Sequence, residues 1–411
     1  MARTSPLRRR HQEAEAALVS YGPADHPDGA VELVETYGEL ELEYAALRKH
    51  CVILDQPNRA VLEVTGRDRL AFLNNMLTQE LKDLGPHRCR RAFWLTQKGR
   101  IASDLRVVDL PNRTLLDVDI HAAERTAETL AAHIIADDVT IMRRTEETHR
   151  FALHGPTAME LLKFTAELTS GSDASGPLFD ELEPGTVTVI RLAGHEVVVF
   201  REDSTGEPGL ELIVPTAGAA EVYEKLLDSG RLPDADDTEV ISNGRPLASR
   251  VRLRPAGWHA FNIARIEEGT PLYNIDFGVE SLPAETGVLD DRVSFKKGCY
   301  PGQEIVARMA HRGHPKQRLV AVKFESITGE ADQALKQPVT GSQLHPSEVS
   351  EPVGVVTSST FSPMLGATAV ALGQVKWDYI VPGTVLIAMT AGGPVRGVVQ
   401  ADLRFWGRVA K

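Results

Sequence analysis

Cys299 stands in the run Lys296-Lys297-Gly298-Cys299-Tyr300-Pro301-Gly302-Gln303-Glu304. Two ammonium groups precede the thiol, and Pro301 suits the first turn of a helix continuing through Ile305, Val306, Met309 and Ala310. A nearby cation and a helix N-terminus both lower a thiol pKa and favour the thiolate. Among Cys51, Cys89 and Cys299, the last is therefore placed for nucleophilic, redox or metal-donating work. The alternative is a small buried hydrophobe beside a tight glycine turn. No Cys-x-x-Cys pair and no even-numbered disulfide framework exists, so thiol chemistry would rest on one sulfur in a reducing compartment. On average residue usage, Cys-Tyr-x-Gly-Gln-Glu arises by chance in such a chain with a probability on the order of 10⁻⁵.

Other candidate chemistry is thinner. His311 and His314 are spaced i, i+3, but Arg312, Gly313 and Pro315 interrupt any helix, so they read as surface histidines and no metal site is expected. Neither Gly341 nor Gly392-Gly393 belongs to a phosphate-cradling pattern. The formal net charge of −12 disfavours general nucleic-acid binding, which needs a basic face. A short basic strip at Lys316 and Arg318 reads as a solvated strand edge. No apolar run approaches the ~20 residues of a bilayer-spanning helix, and the first residues lack the apolar stretch of a secretion signal. A cytoplasmic protein without a membrane partner is expected.

The elements that must position these residues follow from periodicity. With 411 residues, 42 % of them apolar and 25 % charged, the chain suits two or three compact units. Residues 1–57 read as a polar tail and a lead-in helix over 41–54, with Leu42, Ala45, Ala46 and Leu47 at helical spacing. Residues 58–145 read as a first αβ unit. It holds a strand at 61–64, a helix opened by Gly66-Arg67-Asp68, strands at 92–96, 101–108 and 115–118, a helix at 121–136 and a strand at 139–142. Within 101–108, Ile101, Ser103, Leu105 and Val107 share one face and Asp104 points to the other.

Residues 146–314 repeat that order, with a strand at 151–153, a helix at 156–168, strands at 187–192, 196–201 and 210–214, and a helix at 218–227. A Ser- and Gly-rich surface loop occupies 169–177. Residues 315–411 carry short β-rich runs at 319–324, 353–358, 367–375, 384–388 and 396–399, as in a small barrel. The fold class expected is α+β, with two related split-βαβ units and a C-terminal β barrel.

Lys297 to Glu304 resembles throughout the signature Lys-Gly-Cys-Tyr-x-Gly-Gln-Glu of the YgfZ-type folate-binding proteins. Arg308, Arg312-Gly313 and Lys316 to Leu319 resemble the basic run that precedes that family's barrel. The wider resemblance is to the glycine-cleavage T-protein superfamily, over Tyr37 to Phe405. Gly66-Arg67-Asp68 with Phe72-Leu73, Gly99 to Leu105, Thr205 to Glu211 and Arg265 to Gly269 with Pro271-Leu272-Tyr273 carry it, as do Gly354 to Ser358 and Ser362-Pro363. It implies a three-domain ring with tetrahydrofolate, or a one-carbon derivative, in a central channel.

The resemblance also implies roles. Glu211 becomes the carboxylate that accepts the amidine edge of the pterin, the alternative being an outward strand charge. Arg265 would pair with the folate's glutamate or orient Glu211, or else form a salt bridge to Glu267 or Glu268. Asp104 would set a fixed negative charge beside the folate nitrogen that takes the one-carbon unit, the alternative being an exposed strand residue. Lys297 and Tyr300 join the folate-contacting set, and Cys299 carries a thiol-dependent step. Ser103 replaces the first Asp of the T-protein pair, and the cysteine segment stands where T-proteins have a Gly-Asp-Phe-like stretch. Both departures point away from aminomethyl transfer. The expected function is a tetrahydrofolate-binding accessory protein whose clients are iron–sulfur enzymes, including those that modify tRNA. The alternative is an aminomethyltransferase or folate-dependent demethylase.

Overall fold

The structure, a computed structural model, describes residues 4–166, 182–230, 252–326 and 335–406. Two compact units emerge. The first comprises Met1–Leu73, Leu81–Arg90 and Leu105–Phe261, and the second Asn74–Glu80, Arg91–Asp104 and Asn262–Lys411. The boundaries read from sequence do not coincide with this division, because the hairpin Arg88–Leu95/Ile101–Asp109 contributes to both units.

Two sheets share one connectivity. The five-stranded sheet runs Arg88–Leu95, Ile101–Asp109, Thr114–Asp119, Arg59–Thr65, Thr140–Arg143. The six-stranded sheet runs Val187–Leu192, His195–Arg201, Gly209–Pro215, Thr148–His154, Cys51–Asp55, Leu253–Pro255. Apart from the inserted Cys51–Asp55, each reads second, third, fourth, first, fifth in its own chain order. The repeat inferred from periodicity is thus present, with the three strands read between its helices, one more than a split-βαβ unit holds. Helices Arg69–Met76 and Ile120–Ala131 serve the first repeat, and Ala158–Thr165 and Ala219–Ser229 the second. Val61, Val108 and Leu115 pack against Val198, Phe200 and Ile213 in a core shared by the two sheets.

Several elements differ from expectation for identifiable reasons. The supposed tail contains a hairpin, Ala17–Tyr21 with Val31–Thr36, whose second strand buries Val31, Leu33 and Val34, while the first, Ala-Leu-Val-Ser-Tyr, stays largely exposed and shows no alternation. The lead-in helix stops at Lys49, and Cys51–Asp55 forms a strand between Thr148–His154 and Leu253–Pro255. A Cys-Val-Ile-Leu run buried on both faces suits a central strand, and tertiary pairing outweighs the helical spacing. Helix Ile120–Ala131 is capped by Asp119, which accepts from His121 N at 2.9 Å. It closes before residue 136 through i to i−3 bonds from His133 N to Leu130 O and from Ile134 N to Ala131 O. Strand Leu253–Pro255 and helix Trp258–Glu268 were not anticipated. The expected loop at 169–177 and the end of the helix expected to 168 lie outside the described residues.

In the second unit, a closed barrel forms in the order Gln317–Phe324, Thr368–Lys376, Gly354–Ser362, Gln343–His345, Val385–Thr390, Gly393–Val399. Val322, Leu344, Val356, Ala371 and Leu386 fill it. The three-residue strand Gln343–His345 is too short to show a period, which is why only five runs were legible.

Candidate functional site

In the second unit, Asp104 lies in a strand buried along its whole length, which excludes an exposed strand residue. Its Oδ1 accepts from Arg292 Nε at 3.0 Å, and its Oδ2 lies 3.7 Å from Arg91. The Arg292 guanidinium also sits 5.9 Å from the centre of the Phe93 ring. Burial pushes the Arg292 guanidinium below its ordinary pKa, and Asp104 opposes that shift. Thr78 fixes the backbone here: its Oγ1 donates to Arg292 O at 2.6 Å and accepts from Phe93 N at 2.8 Å.

Thr78 belongs to a loop that Lys297 grips from another side. The buried Lys297 ammonium donates to Leu77 O at 2.5 Å, to Gln79 O at 3.1 Å and to Asn74 O in the last turn of helix Arg69–Met76. Its nitrogen is 5.2 Å from the Tyr300 ring centre. Lys297 is therefore engaged with the backbone carbonyls of Asn74, Leu77 and Gln79. Lys296 is exposed. Tyr300 is buried, and burial pushes its phenol up to about 12.

Helix Gln303–Arg312 begins beyond Pro301, after Gly302 in the left-handed region at φ 80°. The helix start thus lies four residues past Cys299 rather than against it. A Cβ on Gly302 would stand 2.6 Å from Thr96 O, and one on Gly99, at φ 69°, would stand 2.8 Å from Ile305 Cβ. The two glycines interlock the 97–100 turn with the helix start. Cys299 projects from this braced segment as an exposed thiol, whereas Cys51 and Cys89 are buried. The small-hydrophobe alternative is thereby excluded.

Glu211 belongs to the first unit and is buried, which excludes an outward strand charge. Arg150 Nε and Nη2 donate to Glu211 Oε2 at 3.2 and 3.1 Å. Arg150 Nη1 also bonds Asp117, whose Oδ2 accepts from Arg59 Nη2 at 2.6 Å. Burial raises the Asp117 pKa, but Arg150 and Arg59 outweigh it and hold the carboxyl below the usual range. Both Arg150 bonds to Glu211 fall on Oε2, and Oε1 accepts none among the described residues. Glu211 pairs with Ala152, so both lie on one sheet face with His154 two residues on. His154 is fully buried with neither ring nitrogen bonded to protein, and burial holds its pKa down to about 4.

Arg265 is 1 % exposed in helix Trp258–Glu268. It donates to Asp276 Oδ2 at 2.5 Å, Ser358 Oγ at 2.6 Å, Asn262 Oδ1 at 2.7 Å and Thr270 O at 3.3 Å. Neither Glu267 nor Glu268 is its partner: Glu267 accepts from Ser362 Oγ at 2.5 Å, and Glu268 pairs with Arg404. Arg265 ties its helix to the barrel. Asp104, Arg265, Lys297, Cys299 and Tyr300 thus share the second unit, and Glu211 stands in the first.

Sequence reading missed Arg292, Arg150, Asp117, Thr78 and His154. Arg292 pairs across 188 positions and Arg150 across 61, so no local spacing advertises them. The side chain of His311 lies outside the described ones, and His314 stacks on Trp377 at 4.8 Å between centroids.

Residues 7–238 match the GCVT N-terminal domain family. The chain belongs to this family. Among the curated relatives of this GCVT-domain chain is the aminomethyltransferase of Caldanaerobacter subterraneus subsp. tengcongensis, 27 % identical over 369 residues that cover 89 % of this chain and 87 % of the relative. The aminomethyltransferase of Cutibacterium acnes is 27 % identical over 410 residues, 99 % of each chain. Among solved structures, the glycine cleavage system aminomethyltransferase T from Bartonella henselae superposes with a TM-score of 0.78 at 21 % identity, covering 99 % of this chain and 100 % of that one. This likeness establishes the fold, a mixed α/β T-protein architecture with a closed six-stranded barrel. Among the described residues, no helix is long and apolar enough to cross a membrane.

Proposed function

We propose that this chain binds a reduced folate and works as an accessory protein of the YgfZ type for iron–sulfur enzymes, with Cys299 as its reactive group. The observation that carries the reading is the exposed thiol on a segment braced by Lys297 and Gly302, while the other two thiols are buried. The residues fit a pterin: in the first unit Glu211 keeps Oε1 unbonded and held in place through Oε2. In the second unit Asp104, fixed by Arg292, supplies the negative charge for the folate nitrogen that takes the one-carbon unit. When bound, tetrahydrofolate accepts or donates that unit. Arg150 and Arg292 orient the two carboxylates. Cys299, with its thiol exposed, meets a partner from outside.

A second reading, aminomethyl transfer, is favoured by the names of the relatives and by the retained Asp104. One paired experiment separates them. Cys299→Ala should abolish complementation of an iron–sulfur maintenance defect while leaving tetrahydrofolate affinity within about twofold of wild type. Full complementation by Cys299→Ala, together with methylene-tetrahydrofolate production from an aminomethylated lipoyl carrier, would favour the transferase.

A further inference from the structure

Several cations of the first unit are matched, whereas the exposed Lys49, Arg88, Arg125, Lys225 and Arg252 have no carboxylate within salt-bridge distance among the described residues. Arg8 lies by Glu32, Arg9 by Glu13, Arg10 by Glu224, Arg143 by Asp28 and Glu124, and Arg144 by Glu63 and Glu147. Such pairing is expected where carboxylates outnumber cations, 57 to 45. Around helix Gln303–Arg312 several unmatched cations come together. Lys98, Lys296, Arg308, Lys316 and Arg318 are exposed, and none has a carboxylate partner within salt-bridge distance among the described residues. They belong to one neighbourhood of the second unit. Lys98 sits on the turn locked to Ile305, and Arg308 follows Ile305 by one helical turn on the same side. Lys316 and Arg318 follow the helix, with Trp377 N bonding Lys316 O at 3.0 Å and the stacked His314–Trp377 pair beside them. Lys296 lies three residues from the exposed Cys299. The carboxylates nearby include Glu304, Asp378, Asp402, which lines the same cavity as Arg318, and the buried Glu285, which feels Lys316 without bonding it.

We propose that this cationic face, beside Cys299, is a docking surface for an acidic segment of a protein partner. The inference rests on the reading that Cys299 acts on a partner, and charge complementarity selects the occupant. Unpaired surface cations cost little in stability, yet they steer and orient an anionic surface of another protein. A long nucleic acid suits the face less well, because it would extend beyond the patch over a chain of net charge −12.

The probe is fluorescently labelled poly-L-glutamate, titrated against the full chain by anisotropy at low and at moderate salt, with bulk tRNA as a parallel arm. Wild type is expected to bind the polyglutamate, more weakly as salt rises. The triple variant Arg308→Glu, Lys316→Glu, Arg318→Glu should bind at least tenfold more weakly, and Arg9→Glu, at a matched cation, should change nothing. Should the reversals impair folding, Arg308→Gln with Arg318→Gln should still show a several-fold loss. Equal binding by wild type and the folded variants overturns the proposal, as does tighter binding of tRNA than of polyglutamate. The assay needs neither folate nor thiol, and Cys299→Ala should bind as wild type does, so failure of the folate reading would leave this result standing.

Discussion

Lys297→Met offers a sharp test of how the Cys299 segment is held. The wild-type ammonium is 6 % exposed and meets three backbone carbonyls, those of Asn74, Leu77 and Gln79. Methionine keeps the length and apolar stem of lysine but leaves three buried acceptors empty, at about 1–3 kcal/mol each. Relief from burying the charge offsets part of that loss, since an ammonium costs several kcal/mol to desolvate. The net destabilisation of the second unit should be about 3 kcal/mol, and the cation–π contact with Tyr300 adds about 0.5–1 kcal/mol. Denaturant unfolding should show an earlier transition, and alkylation of Cys299 should change in rate because its segment loses one brace. Tetrahydrofolate affinity, measured on the folded fraction, should be nearly unchanged. A variant of wild-type stability that has lost folate affinity would refute this account, and would place Lys297 against the ligand as the family resemblance implies.

Four further outcomes are expected. A thiol reagent should titrate one cysteine in the native protein and three after unfolding, since burial shields Cys51 and Cys89 and pushes the Cys51 thiol well up; two fast native thiols would contradict this. Gly302→Ala should destabilise by about 2–4 kcal/mol, because a Cβ meets Thr96 O and the left-handed φ itself costs about 1 kcal/mol or more; thermal unfolding reads it. His154 is depressed to about 4 from an unfolded value near 6.5, so folding favours its neutral form. Its contribution is complete above about pH 6.5 and is lost as pH falls toward 4, by about 3 kcal/mol in total, and His154→Gln should flatten that slope in unfolding experiments. Arg150→Met should destabilise the first unit by about 3–5 kcal/mol by leaving Asp117 and Glu211 buried with one fewer cation, an effect that calorimetry can resolve.

What the sequence disclosed and what it concealed separate along physical lines. Strands such as Val187–Leu192 and Gly209–Pro215 carry strong local patterns, and the repeat was legible from their order. Cys51–Asp55 was not, because a short apolar run takes its identity from the strands that flank it, and these lie far along the chain. Cys299 could be singled out by composition and motif, but the direction of its neighbour's ammonium could not. Lys297 turns inward because the end of helix Arg69–Met76 offers unsatisfied carbonyls, a fact of tertiary structure alone. Arg265 shows the same limit, since its acidic sequence neighbours suggested partners while its actual partner is Asp276. Glu211 and Asp104 were found through resemblance, yet the arginines that pair with them carry no local signature.

The central claim is that this chain holds a reduced folate through Glu211. Isothermal titration with tetrahydrofolate under anaerobic conditions tests it most directly, using wild type and Glu211→Gln, which keeps an oxygen for Arg150. The account predicts saturable one-to-one binding by wild type and an affinity at least about tenfold lower for the variant, in line with the loss of a charge-assisted contact. Absence of binding by the folded wild-type protein, or equal affinity in the variant, would contradict it.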